Sequence, residues 1–420
     1  MFPVNSIGRG AVDASLPGSE TLLTDRVPAP VLAVVEEAGS TLTALHAVQS
    51  SWWPGKQLVV RYRVMAEGGL LEGSHQIVAT AGRIPDGAAR VEGPDGAVGV
   101  WVVPNDPELP GLSSALDRAT VSRLTADMGV GTTISSIRFR AYRPGRRGVV
   151  EAVGSPHSLF LKVVRPKAAR SLHEKHRHLS ARMPVPDSLG YSADLGVVVL
   201  PAMPGADLRR VLREGRARLP APADVAALID DLPYPLDEKV TKSPIEKLAR
   251  IAELLSRVVP AEADRLSQLV STIGPDDRDA DVPVHGDFYE AQVLVHDGQP
   301  AGLIDVDTYG WGRPGDDPAM MLGHLTLLAS SAPNPTRVLA YSSRLQEMWE
   351  TKLDPVDLRR RTAAVILGQA TGPFRVQRPE WPSETVARID VAQRWVERSL
   401  WMDKKSLILA SGRSHVRHRS

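Results

Sequence analysis

The spacing of apolar residues changes character partway along the chain. Before about residue 203, short runs rich in Val, Ile and aromatic residues alternate with breaks containing Gly, Pro and Asp, the pattern of strands and turns. Leu58–Val64, Ile77–Thr80 and Val98–Val103 read as strands of a small antiparallel sheet, with Pro54-Gly55 as a turn before the first. Ile137–Tyr142, Val149–Val153, Leu159–Val164 and Gly196–Leu200 continue the pattern, with turns at Pro144-Gly145 and Gly154-Ser-Pro. Glu36–Ser50 reads as a short helix. Met1 to about Leu32 has little periodicity and is expected to be mobile at its start.

Beyond residue 203 the period lengthens to that of helices. Leu208–Glu214 is a predicted helix closed by Gly215, and Arg216–Thr241 is a polar, Pro-punctuated connection. Ser243-Pro-Ile-Glu246 is a capping box with Pro at the first helical position, leading into the stripe Ile245, Leu248, Ala252, Leu255, Val259. Further helices are expected over Ala261–Ile273 and from Asn334-Pro335, Asp354-Pro355 and Ser383. Gly310–Gly315 reads as a flexible connection, and Asp316 or Asp317 as the cap of the helix after it. Within this helical half, Val293–Val295 and Ala301–Ile304 flank Asp297-Gly298, the signature of a hairpin. The predicted class is α+β.

One pattern occurs twice. Trp52-Trp-Pro-Gly-Lys-Gln-Leu-Val-Val and Arg140-Ala-Tyr-Arg-Pro-Gly-Arg-Arg-Gly-Val-Val share the order aromatic, Pro-Gly, basic, β-branched pair. Two accounts fit it: an internal repeat, or two unrelated hairpins with a basic strand.

Composition narrows the function classes. The 420 residues are enough for two or three structural units. The formal net charge of +1 gives no footing for a nucleic-acid or membrane-surface partner. The absence of cysteine excludes disulfides, thiolate catalysis and Cys-ligated zinc. No leader pattern and no apolar run of about twenty residues occurs, so a cytoplasmic protein is expected.

The candidate chemistry is concentrated in Val284-His-Gly-Asp-Phe-Tyr-Glu-Ala-Gln292 and Leu303-Ile-Asp305. Asp287 is a carboxylate able to orient or deprotonate a hydroxyl. Gln292 and Asp305 lie on adjacent strands of the predicted hairpin, close enough to share an ion. Two hard oxygen ligands beside a carboxylate base suit Mg²⁺-nucleotide phosphoryl transfer. A further signal is Lys162, the one charge in the strand Leu159–Val164; a lysine in a buried strand needs an anionic partner.

With these residues in place, His285-Gly-Asp-Phe-Tyr-Glu-Ala-Gln292 resembles the catalytic loop of the aminoglycoside phosphotransferases, choline kinases and maltokinases, and Leu303-Ile-Asp305 their metal-binding Ile-Asp. The loop normally ends in Asn; Gln292 stands there instead, as in maltokinase-like members. The resemblance implies a two-lobed protein-kinase-like fold. Residues 1–130 would be a β-rich extension, 131–203 the nucleotide lobe, 204–412 a helical catalytic and acceptor lobe, and 413–420 a basic tail. It also implies the roles. Asp287 handles the acceptor hydroxyl, His285 braces the loop, and Gln292 and Asp305 hold Mg²⁺. Lys162 grips the nucleotide phosphates. A Glu in the following helix orients that lysine, and Glu174 is the acidic residue there. Pro201 to Met203 offer backbone groups to the base. His173, His176 and His178 in the same helix read as a solvated face. The implied cofactors are ATP or GTP with Mg²⁺, and the implied partner is a small-molecule hydroxyl acceptor, for a monomer or dimer.

Two acceptor chemistries remain open on the sequence. Aminoglycosides would call on Asp230, Asp231, Asp237, Glu238, Asp276, Asp277 and Asp279. A sugar would call on Tyr289, Tyr309 and Trp311. A rival reading from another class is a catalytically inactive kinase-like protein that binds nucleotide or a partner.

Overall fold

The structure, a computed structural model, describes residues 13–23, 26–93, 95–215 and 217–414. The expected mobile start and most of the basic tail fall outside these, at residues 1–12 and 415–420. The chain divides into two compact units, one of residues 1–177, 186–202 and 372–382, the other of residues 178–185, 203–371 and 383–420.

The first unit is built on two five-stranded antiparallel sheets. Strands β1 (Thr41–Trp53), β2 (Gln57–Glu67), β3 (Gly73–Gly82), β4 (Ala89–Val91) and β5 (Val98–Val102) lie in the order β1-β2-β3-β5-β4. Strands β6 (Thr133–Arg143), β7 (Arg147–Ser155), β8 (Leu159–Val164), β9 (Gly190–Ser192) and β10 (Val197–Pro201) lie in the order β6-β7-β8-β10-β9. Helices α1 (Ser19–Leu22) and α2 (Ala29–Glu37) precede the first sheet, and α3 (Gly111–Leu116) and α4 (Arg118–Asp127) the second. Helix α5 (Pro166–Ser180) connects β8 to β9. One apolar core serves both sheets, joining Val59, Val78 and Trp101 to Leu112, Val150, Leu161 and Val197.

Two readings are corrected here. The helix expected over Glu36–Ser50 is the end of α2 followed by β1. Leu42, Leu45, Ala47, Ser50 and Trp52 are buried along that strand, and pairing with β2 across the Pro54-Gly55 turn overrides an ambiguous local pattern. Residues 13–32, where the sequence shows little periodicity, contribute buried Asp13, Leu16, Leu22 and Val31. The histidines of α5 are not a solvated face. His176 is fully buried in the stripe Ala169, Leu172, His176, Leu179, its Nδ1 2.8 Å from the Pro186 carbonyl, and His173 packs on the Tyr191 ring.

The repeated pattern is a duplicated module. Both hairpins turn through the same tight bend, with Lys56 N–H donating to the Trp53 carbonyl and Arg146 N–H to the Arg143 carbonyl, each at 3.0 Å. In both, the Gly at the turn has positive φ, +67° at Gly55 and +63° at Gly145, a conformation that favours glycine. A carboxylate from upstream caps each turn. Asp13 Oδ2 accepts from Gly55 N–H (2.9 Å) and Trp52 Nε1–H (3.1 Å). Asp106 Oδ2 accepts from Gly145 N–H and the Tyr142 hydroxyl, both at 2.7 Å. Each carboxylate opens the same hexapeptide spacing, Asp13-Ala-Ser-Leu-Pro-Gly18 and Asp106-Pro-Glu-Leu-Pro-Gly111. Strand order, turn, aromatic and anchor all coincide, which two unrelated hairpins would not do.

In the second unit a helical body carries two small ribbons. Its strands are β11 (Ala206–Asp207), β12 (Val282–Val284), β13 (Val293–His296), β14 (Gln299–Leu303) and β15 (Gly310–Gly312), paired as β11-β13-β14 and β12-β15. Its helices are α6 (Leu208–Glu214), α7 (Pro222–Asp230), α8 (Leu248–Val258), α9 (Ala263–Ile273), α10 (Asp316–Ala329), α11 (Pro335–Glu350) and α12 (Pro355–Ala370). A long helix, Trp381–Ser414, ends the described chain. The start signals at Asn334 and Asp354 operate as expected, each side chain accepting from an N–H in the first turn, and Asp207 and Gly215 bound α6. The 293–303 hairpin turns through Asp297 and Gly298, both at positive φ.

Two segments depart from expectation. The polar connection Arg216–Thr241 contains helix α7, whose Val225, Ala226 and Leu228 are buried. The connection Gly310–Gly315 begins as strand β15, because its backbone completes a ladder with the strand leading into His285, pairing Pro283 with Trp311.

Asp106 satisfies a buried hydroxyl and a turn amide. Asp106→Ala should therefore cost about 2–4 kcal/mol of stability, within the range for leaving two donors unpaired. Urea unfolding of the full chain checks this; a loss under about 0.5 kcal/mol would mean the carboxylate does not hold the turn.

Candidate active site

The site in the second unit is assembled on the β12–β15 and β13–β14 ribbons. β12 delivers the chain to His285, which is fully buried. Gly286 follows at φ +77°, and a Cβ there would stand 2.8 Å from the Thr241 methyl and 3.0 Å from the Thr308 carbonyl. The close approach of these neighbours leaves room only for glycine.

The His285 ring joins the two halves of the motif. Its Nε2 lies 3.0 Å from the Ile304 carbonyl, which can only accept, so Nε2 carries the proton. Nδ1 is then bare and accepts from the Asp287 N–H at 3.3 Å. One neutral imidazole thus fixes the backbone of Asp287 and that of the residue preceding Asp305. Ile304 N–H also donates to the Gln292 carbonyl at 2.9 Å, and the Gln292 amide Nε2 stands 3.4 Å from Asp305 Oδ2. Asp305 has φ +62°, a left-handed conformation that Asp tolerates better than most residues and that concentrates at functional positions.

A second carboxylate holds the loop from beneath. Asp317, in the first turn of α10, is buried and accepts from His285 N–H at 2.6 Å and Gly286 N–H at 2.8 Å. Burial pushes its pKa up to about 7, against the pull of the two amides. The expectation that Asp316 or Asp317 caps α10 is corrected: the residue before the helix is Gly315, with no side-chain cap. Asp316 accepts from Arg361 Nη1 at 2.8 Å. Arg361 is fully buried and also pairs with Asp276 (2.7 Å) and Asp357 (2.9 Å). Arg313 extends the network from Asp276 (3.2 Å) to Glu246 (3.1 Å).

Asp287 and Asp305 both act on Tyr289, whose hydroxyl is pushed up to about 12, chiefly by burial and then by these charges. The Tyr289 ring lies against His324 at 4.2 Å between centroids, with the Arg209 guanidinium 5.4 Å from its centre. Arg209 in turn pairs at 2.7 Å with buried Glu290. The structure therefore brings together His285, Asp287, Gln292 and Asp305. Sequence reasoning missed Asp317 and Glu290. The available signal for Asp317 was its place at the head of a helix with hardly any polar face, where Ala319, Met321 and Leu322 are also buried.

The remaining predicted residues are described in their own settings. Lys162 is on β8, an interior strand, between Val149 of β7 and Val198 of β10, and is only 8% exposed. That excludes an exposed position on an edge strand. Glu174 is exposed on α5. Pro201 ends β10 opposite Leu159, and Met203 lies beside Gly302 of β14. In the first sheet, the position matching Lys162 by register from the turn is Thr80, opposite Val59 as Lys162 is opposite Val149.

Several acceptor candidates are already engaged. Asp276 is inside the arginine network, and Asp230 pairs with Lys352 at 2.8 Å. Tyr309 is buried, with its hydroxyl donating to the Pro233 carbonyl at 2.6 Å. Trp311 remains partly exposed and stacks against Tyr234.

The sequence model of the phosphotransferase enzyme family (APH) matches residues 142–352, half of the chain, and the chain belongs to that family. Its fold is α+β, with β-sheets first and helices after. The first sheet lies outside the match. No curated protein matches the chain by sequence. Similar solved structures include a thermostable mutant of aminoglycoside phosphotransferase APH(4)-Ia in ternary complex with ADP and hygromycin B, at 16% identity over 65% of this chain and 97% of that one, TM-score 0.45. Another is the macrolide 2'-phosphotransferase MphH from Brachybacterium faecium, at 18% identity over 64% and 97%, TM-score 0.41.

Asp317 supplies a test of the loop. Asp317→Asn keeps the shape but turns an amide N–H₂ toward one of the two loop amides, and should lower stability by about 1–3 kcal/mol. The folded carboxyl keeps its proton to about pH 7, whereas an unfolded Asp releases it near ~4. Its contribution is thus full below that lower value and is lost as pH rises through the folded pKa. Thermal unfolding between pH 4 and 8 should show a decline toward neutrality that Asp317→Asn lacks. Parallel profiles would remove the assigned titration.

Proposed function

We propose that the chain is an ATP-dependent phosphotransferase acting on a hydroxyl of a small molecule, a sugar, amino sugar or aminoglycoside-like compound. The observation that carries this reading is the single imidazole of His285, which ties the Asp287 loop to the Asp305 strand with Gln292 beside Asp305. Membership of the phosphotransferase family supports it.

Asp287 orients the acceptor hydroxyl and takes its proton as the oxygen forms its bond to the γ-phosphorus and the bond to the β-phosphate oxygen breaks, releasing ADP. His285 contributes by position, since both its ring nitrogens are engaged in holding backbone. Asp305 and the Gln292 amide oxygen are hard donors of the kind Mg²⁺ prefers. The amide nitrogen faces Asp305, so ligation through oxygen requires the Gln292 amide to turn over. Among the described residues no cluster of three His, Asp or Glu could hold a metal; water and phosphate oxygens would complete the shell, as is usual for Mg²⁺. The ion, when bound, supplies charge neutralisation for the phosphates. Lys162 adds a further positive charge for them. Glu174, exposed on α5, is assigned to orient that lysine. The backbone of Pro201 to Met203 is assigned to the base.

Thermal unfolding with ATP or GTP, with and without Mg²⁺, tests the reading. A ligand at a hundred times its Kd should stabilise by about 2.7 kcal/mol, and Asp305→Ala should abolish the Mg²⁺-dependent part. Asp287→Asn should keep nucleotide binding and lose turnover by roughly a hundredfold or more. No stabilisation by millimolar nucleotide would end this reading and favour an inactive partner-binding protein.

A further inference from the structure

The duplicated sheets carry chemically different side chains at two matched positions. In the first sheet Gln57 lies opposite Gly82, and Thr80 opposite Val59. In the second, Arg147 lies opposite Val164, and Lys162 opposite Val149. Gln57 thus corresponds to Arg147 as Thr80 does to Lys162. The first pair is in contact: Gln57 Nε2–H donates to Thr80 Oγ1 at 3.2 Å and to the Arg83 carbonyl at 3.1 Å. The two positions are diagonal neighbours of the ladder, where Cβ atoms stand about 7–8 Å apart and long side chains meet. In the second sheet the same diagonal joins two cations.

Both cations leave the sheet on one face. Val150 and Ala152 of β7 and Leu161 and Val163 of β8 enter the core shared with the first sheet. By the alternation of a strand, Arg147 and Lys162 point to the other face, where Val164, Val198 and Leu200 pack on Ala169 and Leu172 of α5. Lys162 is buried and Arg147 half-buried. The turn before Arg147 is held firmly. Gly145 N–H donates to Asp106 at 2.7 Å, and the Gly145 carbonyl accepts from Arg165 Nε–H at 2.9 Å. Arg165 pairs with Glu108 at 2.6 Å, and Glu108 with Arg83 at 2.7 Å. Arg146 N–H is spent on the Arg143 carbonyl. With these amides committed inside the fold, the turn serves an anion through its side chains.

The charge of this segment has one sign. From Thr133 to Arg177, which spans β6, β7, β8 and most of α5, there are eleven Lys and Arg against two carboxylates, Glu151 and Glu174. Glu151 is shared by Arg138 and Arg140. Glu108 and Asp187, from outside the segment, are engaged by Arg165 and Arg177. Glu174 is exposed and brings a single charge. Like charges on neighbouring strands repel, and an anion with several charges relieves that repulsion more fully than one carboxylate does. The matched pair in the first sheet needs none, because Gln57 and Thr80 are neutral and bonded to each other.

We propose that Arg147 binds the phosphates of the nucleotide together with Lys162, the two cations closing on the polyphosphate chain from adjacent strands of the second sheet. The guanidinium supplies a planar fork that donates to two phosphate oxygens, and the ammonium a compact charge beside it. Asp106 and Arg165 are positioning residues, since they hold the turn from which Arg147 emerges. This inference rests on the phosphotransferase reading and adds to it a residue that the reading does not use.

The test is calorimetric titration of the full chain with ATP and Mg²⁺ and, separately, with adenosine. Arg147→Gln, which places the side chain of the first sheet in the second, should weaken ATP binding about tenfold or more and leave adenosine binding within about twofold, because a charge-assisted bond is lost only to the phosphates. Arg147→Lys should recover part of the loss. A distorted fold would weaken both ligands alike. Unchanged ATP affinity in Arg147→Gln, or equal losses for ATP and adenosine, would overturn the inference while leaving the phosphotransferase reading in place. A wild type that binds neither ATP nor adenosine would remove that reading, and the inference with it.

Discussion

The grip of the Asp317 carboxylate on the amides of His285 and Gly286 is the interaction on which the second unit depends. Backbone N–H groups inside a protein must find acceptors, and at this loop neither helix nor ladder supplies them. A single buried carboxylate does, at 2.6 and 2.8 Å. The loop is then free to present Asp287 at one end and to receive the Asp305 strand through the His285 ring at the other.

The position of that carboxylate is itself set by charge. Arg361 is enclosed by Asp276, Asp316 and Asp357, and Arg313 ties Asp276 to Glu246. Such buried pairs are weak contributors to net stability, because desolvation offsets much of the attraction. Their value here is geometric: removing any member leaves another charge buried and unpaired, so alternative packings of α10, α12 and the loop before β12 are penalised. The close approach of α10 and α12, where a Cβ on Gly323 would stand 2.6 Å from Val365, belongs to the same constraint.

The first unit shows one frame used twice with different outcomes. Both sheets have the same strand order and the same carboxylate-capped turn, yet the register position that holds Lys162 in one holds Thr80 in the other. Thr80 is buried and bonded to Gln57 and the Arg83 carbonyl. It brings no charge to an interior strand, so the first sheet has the packing role of the module without the cation.

Much of this was written in local sequence. Strand runs, Pro-Gly turns, the Asn334 and Asp354 caps, the Gly215 stop and the 293–303 hairpin depend on residues a few positions apart, and local backbone energetics settles them. The His285–Asp305 cluster was legible because its polar residues stand at fixed short spacing on either side of a hairpin. The strand at Thr41–Trp53, helix α7 and strand β15 were not, since each is stabilised by partners distant in the chain. The same holds for side-chain roles. That His176 faces the core, that Asp317 serves a loop thirty residues away rather than its own helix, and that Asp276 is consumed by arginines are consequences of packing. Sequence by itself determined which groups were available and the elements that carry them; only the tertiary structure decided which charges were neutralised, because pairing depends on distances that the fold alone creates.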